Sequence, residues 1–389
     1  MKILIIAATP YFSNRGCHIR IFLGAKYLQK KGVDVLLCTY HLGENVGDFP
    51  IKTNGHTSWY KKTSPGFAWG KLWLDVKLLW LCIREIRRFK PDAIHAHLFE
   101  GLAIGYLAKI FAGKFGIPIV IDSQGDIEAE FNAYNKKNKF AKKVFVPLAK
   151  RIIRLADYIV LSSENALPFF EKIAKLKNKI SVIKDGVGIE FFKESGQEKL
   201  SESVILELEQ VGEWKKNGKL LIYTGGMEDS KGVESLLKEF LVIKDELRDW
   251  KLLLYGVGSD RKAYRRLIEE YHASEQVRFT KETSFFMLSN FLKIADVAID
   301  PKEESTEGSG KLMNYMAVGL PIVCFENNFN KQKLGSKGFY LQKMSDLGNS
   351  LRQDFPEKIS YNLQDEIEKG EIEKLFNIFT KLIEKRKHR

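Results

Sequence analysis

Short apolar runs, mostly of β-branched residues, alternate with amphipathic stretches along the first half of the chain. Residues 3–6 are followed by helical spacing through Leu23, Tyr27 and Leu28, and then by a second apolar run at residues 33–39. Strands that alternate with helices in this way pair in parallel and are covered by helices on both faces. Further strands are predicted at 93–97, 117–122 and 158–161, with helices at 71–89 and 102–111. The pattern predicts a doubly wound α/β domain.

The alternation stops after residues 182–183 and begins again near residue 220. Polar stretches at 194–203 and 215–218 flank a charged helix between the two series. The second series predicts strands at 220–223, 251–255, 277–279, 297–299 and 321–324. Ligands of such sheets bind beyond the carboxyl ends of the strands. We therefore predict an α/β protein with two Rossmann-like domains facing across a cleft, residues 1–195 and 196–365, and a final helix in residues 366–389.

Composition limits the possible partners. The 389 residues are 44% hydrophobic, which excludes a disordered or fibrous chain, and carry a formal net charge of +13, which favours an anionic partner. The apolar runs are shorter than the roughly 20 residues of a membrane-spanning helix. Residues 3–8 resemble a signal peptide but are cut short by Thr9 and Pro10, and the four scattered cysteines suit a reducing cytoplasm.

Positive charge is concentrated in one stretch. No acidic residue lies between Glu130 and Asp157, while eight lysines and arginines, beginning at Lys136 and ending at Arg154, alternate with apolar residues. A second basic and aromatic cluster covers residues 59–73. We expect docking on an anionic membrane surface; the alternative is a solvated helix with core aromatics. Nucleic acid is not expected, because no zinc-finger, helix-turn-helix or RNP pattern is present.

The turns after the strands contain glycines and cations. Gly16 follows the first strand, but neither G-x-G-x-x-G nor the P-loop pattern occurs there, which argues against hydride transfer and NTP hydrolysis. Gly16 would admit an anionic ligand or serve as a turn glycine. Lys231, after the glycine turn at 225–226, lies at a helix start, an unfavourable place for a cation unless an anion binds there; the alternative is a solvated lysine.

Residues 300–321 are the most informative segment. A strand ends in an acidic loop with Gly308 and Gly310, and an amphipathic helix is predicted from Lys311 to Val318. Its first turn would present backbone N–H groups, Ser309 and Lys311 to a phosphate, with Glu307 beside whatever the phosphate carries. No Asp-x-Asp metal motif is present, and no metal role is expected for Asp296 and Asp300.

Six motifs, in order, resemble those of the retaining GT-B glycosyltransferases of family 4. They are D-A-I-H-A-H at 92–97, A-D-Y-I-V-L-S-S-E at 156–164, I-K-D-G-V at 183–187, T-G-G-M-E-D-S-K-G at 224–232, Y-G-V-G at 255–258 with V-R-F at 277–279, and E-G-S-G-K-L-M-N-Y-M-A-V-G-L-P-I-V at 307–323. The motifs extend along nearly the whole chain.

The resemblance implies that the C-terminal domain binds a UDP- or GDP-sugar, that the N-terminal domain binds the acceptor, and that the final helix packs back on the N-terminal domain. Lys231 would contact the diphosphate, Glu307 the sugar, and Asn314 the ribose. Further donor-binding positions implied by the motifs are Gly226, Gly256, Ser309, Gly310 and Lys311. Gly16, which lies outside the motifs, is a donor-binding candidate because of its place after the first strand.

Three positions depart from the family pattern. Gly226 stands where many members have arginine, so Lys311 is the expected substitute. Asn314 replaces a ribose-binding glutamate. Gln124 lies where a histidine often contacts the reacting sugar, and glutamine cannot act as a base. Asp126 and His97 are therefore further catalytic candidates beside Glu307.

The resemblance implies a metal-independent, retaining hexosyltransferase without a resident cofactor. The donor's own phosphate would help to deprotonate a glycan or glycolipid acceptor, in polysaccharide or lipid-linked glycan synthesis. The protein would be cytoplasmic, with a peripheral position on the inner face of the cytoplasmic membrane as a further expectation. The alternatives are a catalytically silent sugar-nucleotide-binding protein and a sugar-nucleotide epimerase on the same fold.

Overall fold

The chain divides into two compact units. The computed structural model describes residues 1–61, 69–123, 125–128, 139–174, 179–184, 200–228, 231–258, 260–281, 283–303, 309–361, 363 and 371–387. The first unit contains Met1–Gly186 together with Glu368–Arg389, and the second contains Val187–Ser305 and Ser309–Ile367. The C-terminal segment thus belongs to the same unit as the N-terminal half of the chain.

A parallel sheet forms the centre of the first unit. Its strands in the described part of the chain are β1 (Lys2–Ala7), β2 (Asp34–Thr39), β3 (Ile51–Thr53), β4 (Ala93–His97), β5 (Ile119–Ser123), β6 (Tyr158–Leu161) and β7 (Ile180–Val182). They are arranged in the order β3-β2-β1-β4-β5-β6-β7. β1 lies between β2 and β4, with Leu4 opposite Leu36 and Ile94. Strands buried on both faces read as continuous apolar runs, which is why the sequence pattern reveals most of them.

Helices cover both faces of this sheet. The described helices of the first unit are α1 (Gly16–Lys30), α2 (Trp69–Phe89), α3 (Leu98–Phe111), α4 (Lys139–Ile153), α5 (Leu167–Ala174) and, after the second unit, α13 (Glu371–Lys387). Helices α2, α3, α4 and α5 contribute to one core with Leu4, Ile94 and Ile119. Because side chains alternate along a strand, His95 and Asp122 point to the opposite face, where Arg20 of α1 and Phe379 of α13 contact them.

A second parallel sheet forms the centre of the second unit. Its described strands are β8 (Lys219–Thr224), β9 (Trp250–Tyr255), β10 (Val277–Phe279), β11 (Val297–Asp300), β12 (Ile322–Phe325) and β13 (Gly338–Leu341). Their order is β10-β9-β8-β11-β12-β13. The described helices are α6 (Glu202–Lys215), α7 (Val233–Ile243), α8 (Arg261–Glu270), α9 (Leu288–Ile294), α10 (Gly310–Ala317), α11 (Asn328–Leu334) and α12 (Leu347–Leu351). Phe240, Trp250 and Leu254 lie in a continuous core.

The predicted architecture of two doubly wound α/β domains is confirmed. The predicted helices at 71–89 and 311–318 correspond to α2 and α10, with ends shifted by one or two residues. β3 and β13, both short edge strands, were missed. β3 is mostly exposed and has a single apolar residue, and β13 is a half-buried segment of only four residues. Within the described residues, no helix combines the length and apolarity needed to cross a bilayer.

Candidate functional site

The strand order of the second unit marks where a ligand can bind. From β8 the chain proceeds outward through β9 and β10, and then returns to place β11 on the other side of β8. The connections that follow β8 and β11 therefore leave the sheet in opposite directions and open a crevice at the carboxyl ends of the two strands. Residues 224–228 and 300–303, with α10, flank this position.

Two glycine loops meet backbone to backbone beside the crevice. Gly225 has a φ of 135° and Gly256 a φ of 150°. A Cβ atom on Gly256 would lie 1.8 Å from the carbonyl oxygen of Gly225. The Gly225 N–H donates to the carbonyl of Tyr255 at 2.9 Å, and Met227 N–H donates to Val257 at the same distance. Only glycine fits at position 256, and Gly225 on the loop after β8 likewise presents its backbone without a side chain.

Gly226 lies beside this contact with a different role from Gly256. Its carbonyl accepts a hydrogen bond from Tyr223 Oη at 2.7 Å. A Cβ at this position would collide only with the end of the Glu228 side chain, which can move. The family resemblance predicts an arginine at this position. The sequence has glycine instead, although the backbone would accommodate a side chain.

Asp300, the last residue of β11, fixes two groups at the start of α10. Its carboxylate accepts a hydrogen bond from Ser309 Oγ at 2.7 Å and forms an ion pair with Lys311 Nζ at 2.9 Å. Both charged side chains are largely buried, with 4% and 14% exposure. Burial alone would raise the pKa of Asp300, but the Lys311 charge and the Ser309 hydrogen bond outweigh it, so that this pKa is lowered. Asp300 is therefore ionised at neutral pH.

This arrangement leaves the N-terminus of α10 open to an anion. Among the described residues no side chain caps the helix, because Ser309, at the N-cap position, donates to Asp300 instead. The first turn contains no acidic residue. The Lys311 Nζ lies 5.1 Å from the centre of the Tyr223 ring, and its Cε is near Gly225. Backbone N–H groups, a positive helix end and a lysine thus converge on the glycine loop.

Tyr315 joins the elements of the site and was not predicted from the sequence. Its buried hydroxyl accepts hydrogen bonds from the N–H and the side chain of Thr224 and donates to the carbonyl of Ile299. The end of β8, the strand β11 and helix α10 are thereby tied together. A tyrosine in the apolar row of a predicted helix gives no sequence signal of this role.

Lys231 lies on the loop that touches the end of β11. The next residue, Gly232, has a φ of 78°, and a Cβ there would lie 2.1 Å from the carbonyl oxygen of Pro301. Lys231 itself is half-buried, and its N–H donates to Glu228. Asn314, one turn after Gly310, is buried with 8% exposure. All of the predicted donor-binding residues except Gly16 lie in the described part of the second unit, on the loops and the helix that flank the crevice: Gly226, Lys231, Gly256, Ser309, Gly310, Lys311 and Asn314.

The predicted catalytic residues are divided between described and undescribed positions. Glu307 and Gln124 lie outside the described residues, so their predicted roles stay predictions. Asp126 is half-buried, and its carboxylate accepts a hydrogen bond from the Glu128 N–H at 2.7 Å, which turns it toward its own chain. Gly16 is the exposed first residue of α1, and a Cβ there would meet no atom within 4 Å, so the backbone does not require glycine. A turn role for Gly16 finds no support.

His97 lies at the end of β4 in a buried polar cluster of the first unit. Arg20 Nε donates to both oxygens of Asp122, at 2.8 and 3.0 Å, and its Nη1 donates to the carbonyl of Ile183. Burial would raise the pKa of Asp122, but the Arg20 charge and the adjacent His95 hold it well below its ordinary value. Burial and the neighbouring His95 lower the pKa of His97, which is therefore neutral at pH 7.

The same cluster contains the described group best suited to a metal. His95, His97 and Asp122 offer ligand atoms within 4.8 Å of one another. Both Asp122 oxygens are, however, already held by the Arg20 guanidinium, whose positive charge opposes a nearby cation. Asp296 and Asp300 are not arranged as a metal pair, because Asp296 accepts from Lys215 and the Leu220 N–H.

His18 completes this end of the first unit and was not predicted. Its Nε2 lies 2.7 Å from Thr9 Oγ1, and its Nδ1 accepts from the Ser13 N–H at 3.0 Å. Burial, with a smaller effect from Arg15, lowers the pKa of His18 to about 3. A neutral ring with Nδ1 as acceptor and Nε2–H as donor satisfies both contacts.

Comparison with known proteins places this geometry in context. Residues 18–191 match the family model described as Glycosyltransferase Family 4, and residues 204–338 match Glycosyl transferases group 1. The 2-deoxystreptamine N-acetyl-D-glucosaminyltransferase of Niallia circulans is 22% identical over 66% of this chain and 63% of its own length. The alpha-monoglucosyldiacylglycerol synthase of Acholeplasma laidlawii is 22% identical over 69% and 68%. The chain thus spans about two thirds of the length of these relatives.

A solved structure shares the fold over the full length. Anabaena Alr3699/HepE in complex with UDP-glucose has a TM-score of 0.68 and 16% identity, and the match covers 100% of both chains. Both parallel sheets of the present chain therefore have counterparts in one solved protein. The two family matches and the shared architecture together identify the chain as a protein of the GT-B glycosyltransferase fold.

Proposed function

We propose that the chain is a retaining glycosyltransferase that transfers a sugar from a nucleotide-diphosphate sugar to a glycan or glycolipid. The observation that carries the proposal is the open N-terminus of α10. There Asp300 holds the hydroxyl of the N-cap residue Ser309 away from the helix N–H groups and holds Lys311 beside the glycine loop. A diphosphate would accept hydrogen bonds from the uncapped N–H groups of α10. The two family matches support the same class of reaction.

The donor diphosphate is the group on which these residues would act. As the glycosidic bond to the phosphate breaks, negative charge grows on the departing diphosphate. The α10 N–H groups, Lys311 and Lys231 would stabilise that charge, and preorganised donors of this kind give the largest catalytic effects. The Asp300 carboxylate already orients Lys311, so little rearrangement is needed when the donor binds.

Retention of configuration follows in this proposal from attack on the face that the diphosphate leaves. The donor phosphate would take up the acceptor proton, so no paired carboxylate is required. Glu307 and Gln124 remain the predicted contacts to the sugar. The neutral His97 can donate or accept one hydrogen bond at each ring nitrogen, which suits a sugar hydroxyl better than a charged group.

A lipid-linked acceptor is the preferred form of the proposal. The Acholeplasma relative is named for a glucosyldiacylglycerol and the Niallia relative for 2-deoxystreptamine, so related proteins act on different acceptors. The basic surface of the first unit favours an acceptor held at an anionic membrane. The predicted location is then the cytoplasm, at the inner face of the cytoplasmic membrane.

Donor binding can be tested by thermal unfolding with a panel of UDP- and GDP-sugars. A ligand at 100 times its Kd stabilises the native state by about 2.7 kcal/mol. We expect a UDP-sugar to raise the Tm, since the solved relative binds UDP-glucose. Lys231→Ala should reduce the shift, and Lys238→Ala, an exposed lysine on α7, should not. Absence of any shift across the panel would contradict donor binding.

Turnover separates an enzyme from a silent binding protein. Release of free UDP or GDP from the donor that binds should increase when lipid or glycan acceptors are added. A protein that binds donor without releasing nucleotide under any acceptor would be a binding protein. Conversion of the donor into another sugar nucleotide without an acceptor would instead identify an epimerase.

A further inference from the structure

One side of helix α2 carries large apolar side chains exposed to solvent. Leu72, Trp73, Val76 and Trp80 are 47, 51, 44 and 68% exposed. Residues 72, 76 and 80 are four apart, so they lie above one another on a single face. Single exposed apolar residues are common, but a row of four with two tryptophans marks an interaction surface. We call these four residues the α2 stripe.

The apolar surface continues onto the neighbouring helix. Helix α3 packs beside α2, and Leu107 and Phe111 on it are 43 and 59% exposed, again four residues apart. The Arg87 Nη2 group at the end of α2 donates to the carbonyl of Phe111 at 2.8 Å, which joins the two helices at their C-terminal ends. Both helices have their opposite faces in the same core.

The exposed charged side chains near the α2 stripe are basic. The acidic residues of α2 point inward: Asp75 accepts from Tyr40, and Glu85 is nearly buried and pairs with Arg84. Glu100 of α3 pairs with Lys71. The exposed charged side chains that follow the α2 stripe are basic: Arg84, Arg87 and Arg88.

Helix α4 lies against α3 and extends this charge. It contains five lysines and arginines and no acidic residue. Lys142 and Lys150 are partly engaged by Glu128, while Lys143 and Arg151 are exposed. Lys136 and Lys137, at the start of the basic stretch predicted from the sequence, lie outside the described residues. Exposed apolar side chains on the neighbouring helices belong to α2 and α3. Leu148 is the described exception on α4, with 53% exposure.

We infer that the α2 stripe docks on an anionic lipid bilayer, with Trp73 and Trp80 in the headgroup region and Arg84, Arg87 and Arg88 against lipid phosphates. Indole rings favour the boundary between water and hydrocarbon, and basic residues near an anionic surface add to binding. A second copy of the chain is a poorer occupant. A two-fold contact would bring two copies of the same basic surface together, so that both sides of the contact would carry positive charge, and like charges repel.

This inference extends the proposed function, on which it rests only for the nature of the acceptor. Membrane docking would hold a lipid-linked acceptor beside the first unit. Docking itself requires neither a donor nor turnover, so it can be measured separately. The two proposals can therefore fail independently.

Co-sedimentation with sucrose-loaded vesicles tests the docking. Vesicles of phosphatidylcholine alone are compared with vesicles that also contain phosphatidylglycerol. We expect the full chain to bind the anionic vesicles and the variant with Trp73→Ser and Trp80→Ser to bind at least roughly tenfold more weakly. The control is Val242→Ser on α7 of the second unit, which is as exposed as Trp80, at 68%, and should bind as the unchanged protein does.

Two further measurements make the outcome specific. Phospholipids brominated near the headgroup should quench tryptophan fluorescence in the unchanged protein and much less in the double variant. The Tm of the double variant, with and without the UDP-sugar that binds, shows that it is folded. Equal vesicle binding by both proteins, or none by the unchanged protein, would overturn the inference. So would dimerisation in solution that the double variant loses. A donor-induced Tm shift without vesicle binding would leave the proposed function standing.

Discussion

Replacing Lys311 by methionine removes one charge of a buried pair and leaves the other. Asp300 is 3% exposed, and its partners after the substitution are Ser309 and the Lys302 N–H. Removing one member of a buried ion pair typically costs about 3–5 kcal/mol. At pH 7, protonation of Asp300 limits the part of this cost that comes from burying an unpaired charge. Neutralising a carboxyl that ordinarily titrates near 3.9 costs about 1.4 kcal/mol for each of roughly three pH units, about 4 kcal/mol in all.

The same reasoning predicts how the stability lost in the Lys311→Met variant changes with pH. In the unchanged protein the pKa of Asp300 is lowered, so the stability it contributes is present above about pH 3.9 and is lost only below it. In the Lys311→Met variant burial raises this pKa above its unfolded value. The variant therefore recovers stability as the pH falls, and its deficit should shrink by up to about 2.7 kcal/mol between pH 7 and pH 5.

Urea unfolding at the two pH values measures this deficit. The control is Lys238→Met, which removes an exposed i,i+4 pair with Glu234 and should cost less than about 1 kcal/mol at both pH values. A Lys311→Met deficit that is equal at pH 5 and pH 7, or no larger than that of the control, would refute the buried ion pair. Under the proposed function the same variant should also bind UDP about 10- to 100-fold more weakly, since a charge-assisted hydrogen bond contributes about 1.5–3 kcal/mol.

Three further substitutions test other parts of the structure. The pKa of His18 is lowered to about 3, so below about pH 6.5 the unfolded chain binds a proton that the folded chain does not. The protein therefore loses stability as the pH is lowered, and His18→Gln should remove about 2.7 kcal/mol of that loss at pH 4.5, measured by urea unfolding. Gly256→Ala would force Cβ against Gly225 and should cost about 2 kcal/mol or more, with a weaker donor-induced Tm shift. Phe379→Ala opens a cavity against His95 and should cost about 3–5 kcal/mol, measured as a lower urea midpoint.

Each of these has a control in the same chain. The control for His18→Gln is His272→Gln, on an exposed turn. Gly212→Ala, in α6 with no atom within 4 Å of the added Cβ, should stabilise slightly. Lys381→Ala, exposed on α13, should be nearly neutral. If Gly256→Ala were as stable as Gly212→Ala, the close loop contact would be wrong, and an unchanged pH profile for His18→Gln would contradict a neutral buried histidine.

The sequence reveals the architecture because both sheets are buried on two faces. A strand such as β1 must then be apolar at consecutive positions, and that run is visible without any structure. β3 has one apolar residue at an edge, so it has no such run. The position of the candidate site is equally visible, because Gly225, Gly256 and Gly310 interrupt the pattern directly after strands or before a helix.

The pairings inside the sites were not visible. Arg20 and Asp122 are 102 positions apart, and only the folded sheet brings α1 to the end of β5. Lys311 was predicted as a phosphate ligand, but its pairing with Asp300 was missed because an acidic loop separates them. An aspartate as the last residue of a strand is the available signal, since a charge that ends a buried strand requires a partner.

The position of α13 in the sequence has a consequence for synthesis. This helix follows the second unit in the chain but places the fully buried Phe379 in the first. About 185 residues separate the end of the first unit's N-terminal segment from α13. At roughly 5–20 residues per second, the ribosome needs about 10 to 40 s to make them. During that time the part of the His95 face that α13 covers is exposed, although α1 already packs on the same face. A chaperone that binds apolar surfaces would compete for that exposed part until α13 emerges.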